Sequence, residues 1–277
     1  MSKLIIDSDS TQPAATIGGE QLIAGLRSLG VQPGARVLVH SALSSFGSVE
    51  GGAASALDAL QAVLGPQGTL VMPYFFPLYD GDFDSAHPPA PYTGVIPQLL
   101  RTRPGARLSV HPTHPVVAVG PEADRITADH YRVSAVGRGS PIDRLAEMGG
   151  QVLLLGVTQA ANTTLHTGEA YAGVGYWGRG RPDHSTGRWT RLPDGCRTWV
   201  PLPETPGDSD GFPRIERFLV ERGLIRQGVI GRARCRLMPG QQLIEATVDY
   251  LRQDPAGLLC ERVDCAFCAW ARKILES

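Results

Sequence analysis

Apolar positions along this chain switch between a helical period and short unbroken runs. Leu22, Ile23, Leu26 and Leu29 repeat at helical spacing, and Gly30 supplies a stop. Pro33-Gly34 then turns the chain into residues 36–40 (RVLVH), a short run that predicts a strand. A loop rich in glycine and serine follows over 41–52 (SALSSFGSVEGG), before the helical period returns over 53–64 and ends at Gly65-Pro66. Residues 68–74 (GTLVMPY) predict the next strand, and prolines at 77, 88, 89 and 91 make 75–91 a long loop. A short helix is expected at 95–100, a strand within 109–120 and a helix over 123–130. Pro141 opens a further helix that runs to Met148. Val152, Leu153, Leu154, Leu155 and Val157 form a run that suits a strand buried on both faces. Asn162, Thr163 and Thr164 are good N-cap residues, and 165–171 lacks proline, so a helix is expected directly after that strand.

The last hundred residues read as a Gly-, Pro-, Arg- and Trp-rich stretch with hairpin strands at 189–192 and 197–202. A helix is expected at 215–222, a glycine-broken turn and a strand over 223–236, and an amphipathic helix over 239–252. Alternating strands and helices predict an α/β fold: a single layered domain whose central sheet, largely parallel or mixed, is flanked by helices and interrupted by a loop-rich insertion. We take residues 1–17 as an N-terminal extension and 18–277 as that domain, since no repeat, low-complexity segment or clean linker divides it.

Composition narrows the classes. The chain has 277 residues, 42% of them hydrophobic and 19% charged, the balance of a globular protein. A net charge of -1 offers no basic field for nucleic acid or an anionic membrane. The first residues meet acid and polar side chains too early for a secretory signal, and no apolar run approaches a membrane span, so the expectation is a soluble cytoplasmic protein. Five cysteines, an odd number, argue against a secreted disulfide framework. Cys260, Cys265 and Cys268 have a spacing that resembles metal ligands, but they supply three sulfurs and no adjacent His. Cys235 is a candidate fourth in space, and the reading favours reduced packing cysteines with no metal assigned.

His166 and Glu169 stand three apart on the helix expected after the buried strand, and so share a face. An imidazole near a strand's carboxyl end with a carboxylate one turn away is what a general base needs. The plain alternative is a capped helix carrying a surface His and Glu. The strand–loop–helix junction at 41–52 would present free backbone N–H groups at a helix N-terminus, which suits phosphate. His111 and His114 are read as structural turn residues ahead of metal ligands. Two literal motifs are set aside. Residues 173–178 spell GxGxxG but run into Arg181-Pro182 instead of a helix, and 207–211 spell GxSxG but sit between Pro206 and Pro213 with no strand before them.

Taken together, VHSALSSFGSVEGG, GTLVMPYF, HPTHPVVAVG, GSPIDRLAEMGGQVLLLG, NTTLHTGEA and GLIRQGVIGRARCRLMPGQQLIEATVDYL closely resemble the aminoglycoside N(3)-acetyltransferase family, from about residue 18 to the C-terminus. The chain departs at Pro115-Val116 and Ala118, where relatives often carry a serine. The resemblance implies a single-domain acetyltransferase outside the GNAT fold, with acetyl-coenzyme A as co-substrate, often dimeric and associated with antibiotic resistance. It implies that His166 is the base, with Glu169 or Glu204 as its orienting carboxylate. Coenzyme A would be held by His40, Ser41, Ala42, Leu43, Ser44, Ser45, Gly47, Val49, Gly51 and Gly52. A cationic aminoglycoside would be met by Tyr74 and by the loop acids Asp80, Asp82, Asp84, Asp208 and Asp210, for each of which a solvated turn residue is the plain alternative. Two further readings stay open: the same chemistry on another amine, such as a biosynthetic intermediate, and a metal-dependent hydrolase built on His111, His114, His166 and Glu169.

Overall fold

The computed structural model describes residues 5–11, 16–76, 81–179, 186–202 and 207–277. Their elements begin with β1 (Thr16–Ile17), α1 (Gly19–Leu29), β2 (Arg36–Ser41), β3 (Ser48–Val49), α2 (Gly52–Leu64), β4 (Thr69–Pro73), β5 (Phe83–Asp84) and α3 (Val95–Arg101). The middle of the chain holds β6 (Arg107–Leu108), β7 (Val116–Val119), α4 (Ala123–Thr127), α5 (Pro141–Glu147), β8 (Gln151–Leu155) and α6 (Thr164–Ala172). Last come β9 (Gly187–Arg191), β10 (Arg197–Pro201), α7 (Glu216–Glu221), β11 (Arg226–Ile230), β12 (Ala233–Pro239), α8 (Gly240–Gln253) and α9 (Ala266–Leu275).

A seven-stranded sheet of order β11-β12-β8-β2-β4-β7-β6 organises the molecule. Its centre is parallel: β2 pairs with β8 through Leu38–Val152 and with β4 through Leu38–Val71. Both flanks are antiparallel, because β12 runs against β8 and β7 against β4. The sheet is therefore mixed. The continuous apolar runs are explained by burial on both faces. Leu38, Val71, Val152 and Leu154 face one core with residues of α5, α6, α8 and α9, while Val37, Val39, Leu70, Leu153 and Leu155 face a second core with residues of α1, α2 and α3.

Two expected boundaries moved. The helix at 123–130 stops at Thr127, because Ala128 turns extended and Asp129 takes a left-handed φ of 47°. The stretch at 223–236 is a hairpin, β11 and β12, which supplies the antiparallel edge beside β8. Residues 5–11, within the expected N-terminal extension, lie on the domain: Ile6 bridges to Val157, Ser8 bridges to Ala233, and Asp7 pairs with Arg236 at 2.7 Å. No helix among the described residues is long and apolar enough to cross a membrane.

The strand directions place the site. β2, β4 and β8 are parallel, so their carboxyl ends open on one side of the sheet, where α/β folds collect ligands. β7 runs the other way and brings the residues before it to the same edge.

Candidate active site

A cavity of about 570 Å³ opens at that edge. Ser41 ends β2, Pro73 and Phe75 close β4, Val157 and Asn162 follow β8, and Thr113 and His114 precede β7, and all of them line it. His166 lines it as well, from the first turn of α6. Phe75, Phe76, Tyr92 and Phe212 give the walls an apolar cast, so polar groups there act with little competition from water.

α6 is built to hold its histidine still. The Thr163 hydroxyl caps nothing; Asn162 does that work, with its Oδ1 accepting from the Thr164 N–H at 3.2 Å and its Nδ2 donating to Gln159 at 2.7 Å. Thr167 donates to the Val136 carbonyl at 2.6 Å, and Gly173 ends the helix in a left-handed conformation with φ 63°. Gly168 faces α8 so closely that a Cβ would overlap the Thr247 side chain. The helix therefore lies buried from Thr164 to Glu169, instead of presenting a polar face to solvent.

His166 Nδ1 lies 2.5 Å from Glu169 Oε2. The other carboxylate oxygen, Oε1, accepts from the Tyr176 hydroxyl at 2.6 Å. Burial, and then the carboxylate beside it, raise the Tyr176 pKa, so the phenol keeps its proton and is the donor. An ionised carboxylate only accepts, so Nδ1 carries the imidazole proton and Nε2 is left with the lone pair. The Phe212 ring packs edge-on against the imidazole, with centroids 4.6 Å apart. His166 and Glu169 are respectively 6% and 3% exposed, so the surface-residue alternative does not describe them.

Two more histidines line the same cavity. His40, on β2, has no hydrogen-bond partner at its buried Nε2, and burial holds its pKa down at about 3. His114 is held near the same value, first by desolvation and then by His166. Neither adds positive charge beside an incoming cation. His111 Nδ1 is occupied by the backbone N–H groups of Thr113 and His114 at 3.3 and 3.2 Å, which makes it a turn residue. Behind it, the Val116 N–H donates to Ser109 Oγ, Ser109 faces His130 Nδ1 at 2.8 Å, and His130 Nε2 meets the Ala135 carbonyl at 3.0 Å. These histidines do not gather with His166 and Glu169 as metal ligands. Among the described residues the only such group of three or more is Asp208 with Cys260, Cys265 and Cys268.

Of the loop expected to hold coenzyme A, His40 and Ser41 reach the cavity wall. Ser45 is buried, with its hydroxyl donating to the Ala42 carbonyl at 2.6 Å, while Ser44, Gly47 and Gly51 are exposed. Leu43 lies in a short turn, Val49 in β3, and Gly51 and Gly52 open α2 without a side-chain cap. Tyr74 is buried beside the cavity residues Pro73 and Phe75. Asp82 pairs with Arg197 at 2.7 Å, Asp84 with His87 at 3.1 Å and Asp210 with Arg262 at 2.6 Å. Asp208 Oδ2 lies 3.2 Å from Cys265 Sγ. Asp80 and Glu204 lie outside the described residues.

Sequence reasoning passed over Tyr176, Phe212 and Thr113 as parts of this site, and set His114 beside His166 only in the metal-dependent hydrolase alternative. Tyr176 sits inside the GxGxxG string, and what carries it back to Glu169 is the turn that Gly173 starts at the end of α6.

The family model for aminoglycoside 3-N-acetyltransferases matches residues 38–252. This chain belongs to the aminoglycoside 3-N-acetyltransferase family. Aminoglycoside N(3)-acetyltransferase IV from Salmonella sp is 38% identical over 236 residues, covering 85% of this chain and 87% of that protein. Among solved structures, a histidine-to-alanine mutant of the aminoglycoside acetyltransferase AAC(3)-IVa in complex with a gentamicin superposes with a TM-score of 0.83. It is 35% identical and covers 94% of this chain and 98% of the other. AAC-IIIb, solved as a binary complex with CoASH, gives a TM-score of 0.71 at 28% identity, over 86% and 97% of the two chains. An aminoglycoside 3-N-acetyltransferase family member is an acyltransferase, so the family does not support the hydrolase alternative, and among the described residues no metal-ligand group forms around His166.

Proposed function

We propose that this protein transfers the acetyl group of acetyl-coenzyme A directly to the 3-amino group of an aminoglycoside, with His166 as general base. The observation that carries the reading is the Glu169–His166 pair, in which Nδ1 is held and Nε2 is left free on the wall of the cavity. Nε2 takes one proton as the amine nitrogen attacks the thioester carbonyl; the tetrahedral intermediate collapses, the C–S bond breaks, and the coenzyme A sulfur leaves and is protonated. Glu169 orients the ring and stabilises the imidazolium that forms, and Tyr176 orients Glu169. None of the five cysteines lines the cavity that His166 faces, and no acetyl-enzyme is needed. Coenzyme A enters past the 41–52 loop, whose exposed glycines and uncapped α2 N-terminus suit its phosphates. An aminoglycoside acceptor agrees with the relatives' names and with the gentamicin complex of a close structural relative.

The reading is tested by following acetyl-coenzyme A consumption against a panel of aminoglycosides and unrelated amines, with the product's acetylated nitrogen located by NMR. Acetylation at the 3-amino group of 2-deoxystreptamine aminoglycosides is expected. Turnover of unrelated amines alone would move the acceptor to another class and leave the His166 chemistry in place.

A further inference from the structure

The C-terminal tail gathers ligand chemistry away from the cavity. Cys260, Cys265 and Cys268 all carry free thiols, and with Asp208 they offer four ligand atoms that lie within 4.8 Å of one another. Cys235, the sulfur considered from sequence as a fourth, is instead held in β12 against Leu155 and faces the other core. The arrangement is ordered by the backbone. Cys265 is the N-cap of α9 and accepts from the Cys268 N–H at 3.4 Å, while the Cys260 N–H points at Cys268 Sγ at 3.2 Å. Backbone N–H groups directed at sulfur, at a helix N-terminus, favour the thiolate, while burial, the larger influence, raises the Cys265 and Cys268 thiols, so a bound cation would have to draw off their protons. Asp208 closes the group at 3.2 Å from Cys265 Sγ.

We propose that Cys260, Cys265, Cys268 and Asp208 form a structural zinc site. Four donors, three of them sulfur, match the closed tetrahedral preference of Zn²⁺ for thiolate with one oxygen. Bonds of about 2.3 Å to sulfur set sulfur–sulfur edges of roughly 3.8 Å, so a group spread over no more than 4.8 Å needs a contraction on the order of 1 Å on binding. The step balances: Zn²⁺ enters, the three thiols release three protons to solvent, the Asp208 carboxylate binds as the anion, and the oxidation state is unchanged. Arg262 and Arg272 stand close by: Arg262 pairs with Asp210, and Arg272 donates to the Cys260 carbonyl at 2.7 Å, so cationic groups face the resulting anionic cluster.

The site has a consequence for the cavity. Asp208 lies between Gly207 and Ser209, which both line it, and Ser209 Oγ donates to the Ala160 carbonyl at 2.7 Å. Gly211 packs against the backbone of 258–260 with no room for a Cβ, and next to it Phe212 touches His166. Zinc would therefore pin the wall segment 207–212 to the tail and hold the cavity's shape.

The experiment is metal analysis of the full chain, purified reduced and without a histidine tag, then reconstituted with Zn²⁺ alone. About one zinc per chain is expected, as for a closed four-ligand site. Cys265→Ser/Cys268→Ser should lose it, Cys196→Ser should keep it, and Asp208→Asn should weaken Zn²⁺ binding at least about tenfold. Replacement by Co²⁺ in the wild-type chain should give thiolate-to-cobalt charge transfer with the strong bands of tetrahedral coordination, a readout that stands even where the double variant fails to fold. Zinc removal should raise KM for the amine more than KM for acetyl-coenzyme A. Reconstituted protein with under about a tenth of a zinc per chain, octahedral cobalt spectra, or a disulfide among these cysteines in freshly isolated protein would overturn the site.

Discussion

The Tyr176 hydroxyl donates to Glu169 at 2.6 Å, on the carboxylate oxygen that His166 does not use. A side chain seven residues downstream of Glu169 thus decides how it presents itself to the imidazole. A hydrogen bond to a charged group is worth roughly 1.5–3 kcal/mol, so Tyr176→Phe should lower kcat by about tenfold or more. KM for acetyl-coenzyme A should stay unchanged, since the phenol is a positioning group. Steady-state kinetics beside a thermal melt checks this, and an unchanged kcat in a folded variant would remove Tyr176 from the account.

Gly168 is where stability and catalysis meet on α6. In an exposed helix Gly→Ala is worth about 1 kcal/mol of stabilisation. Here the added Cβ falls on Thr247, and overpacking costs typically about 1–3 kcal/mol. The account predicts that Gly168→Ala lowers Tm and also kcat, because His166 and Glu169 flank the displaced turn. A raised Tm would show that α6 and α8 separate freely.

Stability should depend on pH through the buried imidazoles. Burial holds His40 and His130 near pKa 3, while unfolded histidine titrates near 6.5. Between those values the unfolded chain binds more protons, so stability is fullest above about pH 6.5 and falls as pH falls toward 3, by up to about tenfold in the folding equilibrium per pH unit for each histidine. Urea midpoints between about pH 7 and 4.5, above the range where most carboxylates titrate, should drop steadily. A flat profile would mean these rings take up protons in the folded chain as readily as in the unfolded one.

Gly52 tests the coenzyme A loop. Its φ of 60° disfavours any side chain, yet a Cβ there meets nothing within 4 Å. Gly52→Ala should therefore fold with a modest loss of stability, of about 1 kcal/mol, and raise KM for acetyl-coenzyme A more than KM for the amine. Equal KM changes would place the coenzyme elsewhere.

The sheet and the His166–Glu169 pair were legible because both follow from local pattern. Unbroken Val and Leu runs marked strands covered on both faces, and a spacing of three put the two side chains on one helical face. What stayed hidden depends on chain reversal. β7 was expected as a strand, but its antiparallel direction, which brings His114 to the cavity, is not written in its composition. Tyr176 reaches Glu169 only because of a tight turn after α6, and Asp208 meets the tail cysteines across more than fifty residues of sequence.

The most direct test of the central claim is kcat for His166→Ala and His166→Gln across pH, beside acetyl-coenzyme A binding by calorimetry. A general base contributes on the order of 10² to 10⁴ in rate, so both variants should lose about that much kcat while binding acetyl-coenzyme A normally. The rise of kcat with pH in the wild type should be absent from both. A His166→Ala enzyme with near-normal kcat, or a protein-bound acetyl group trapped in the absence of amine, would contradict direct transfer by this base.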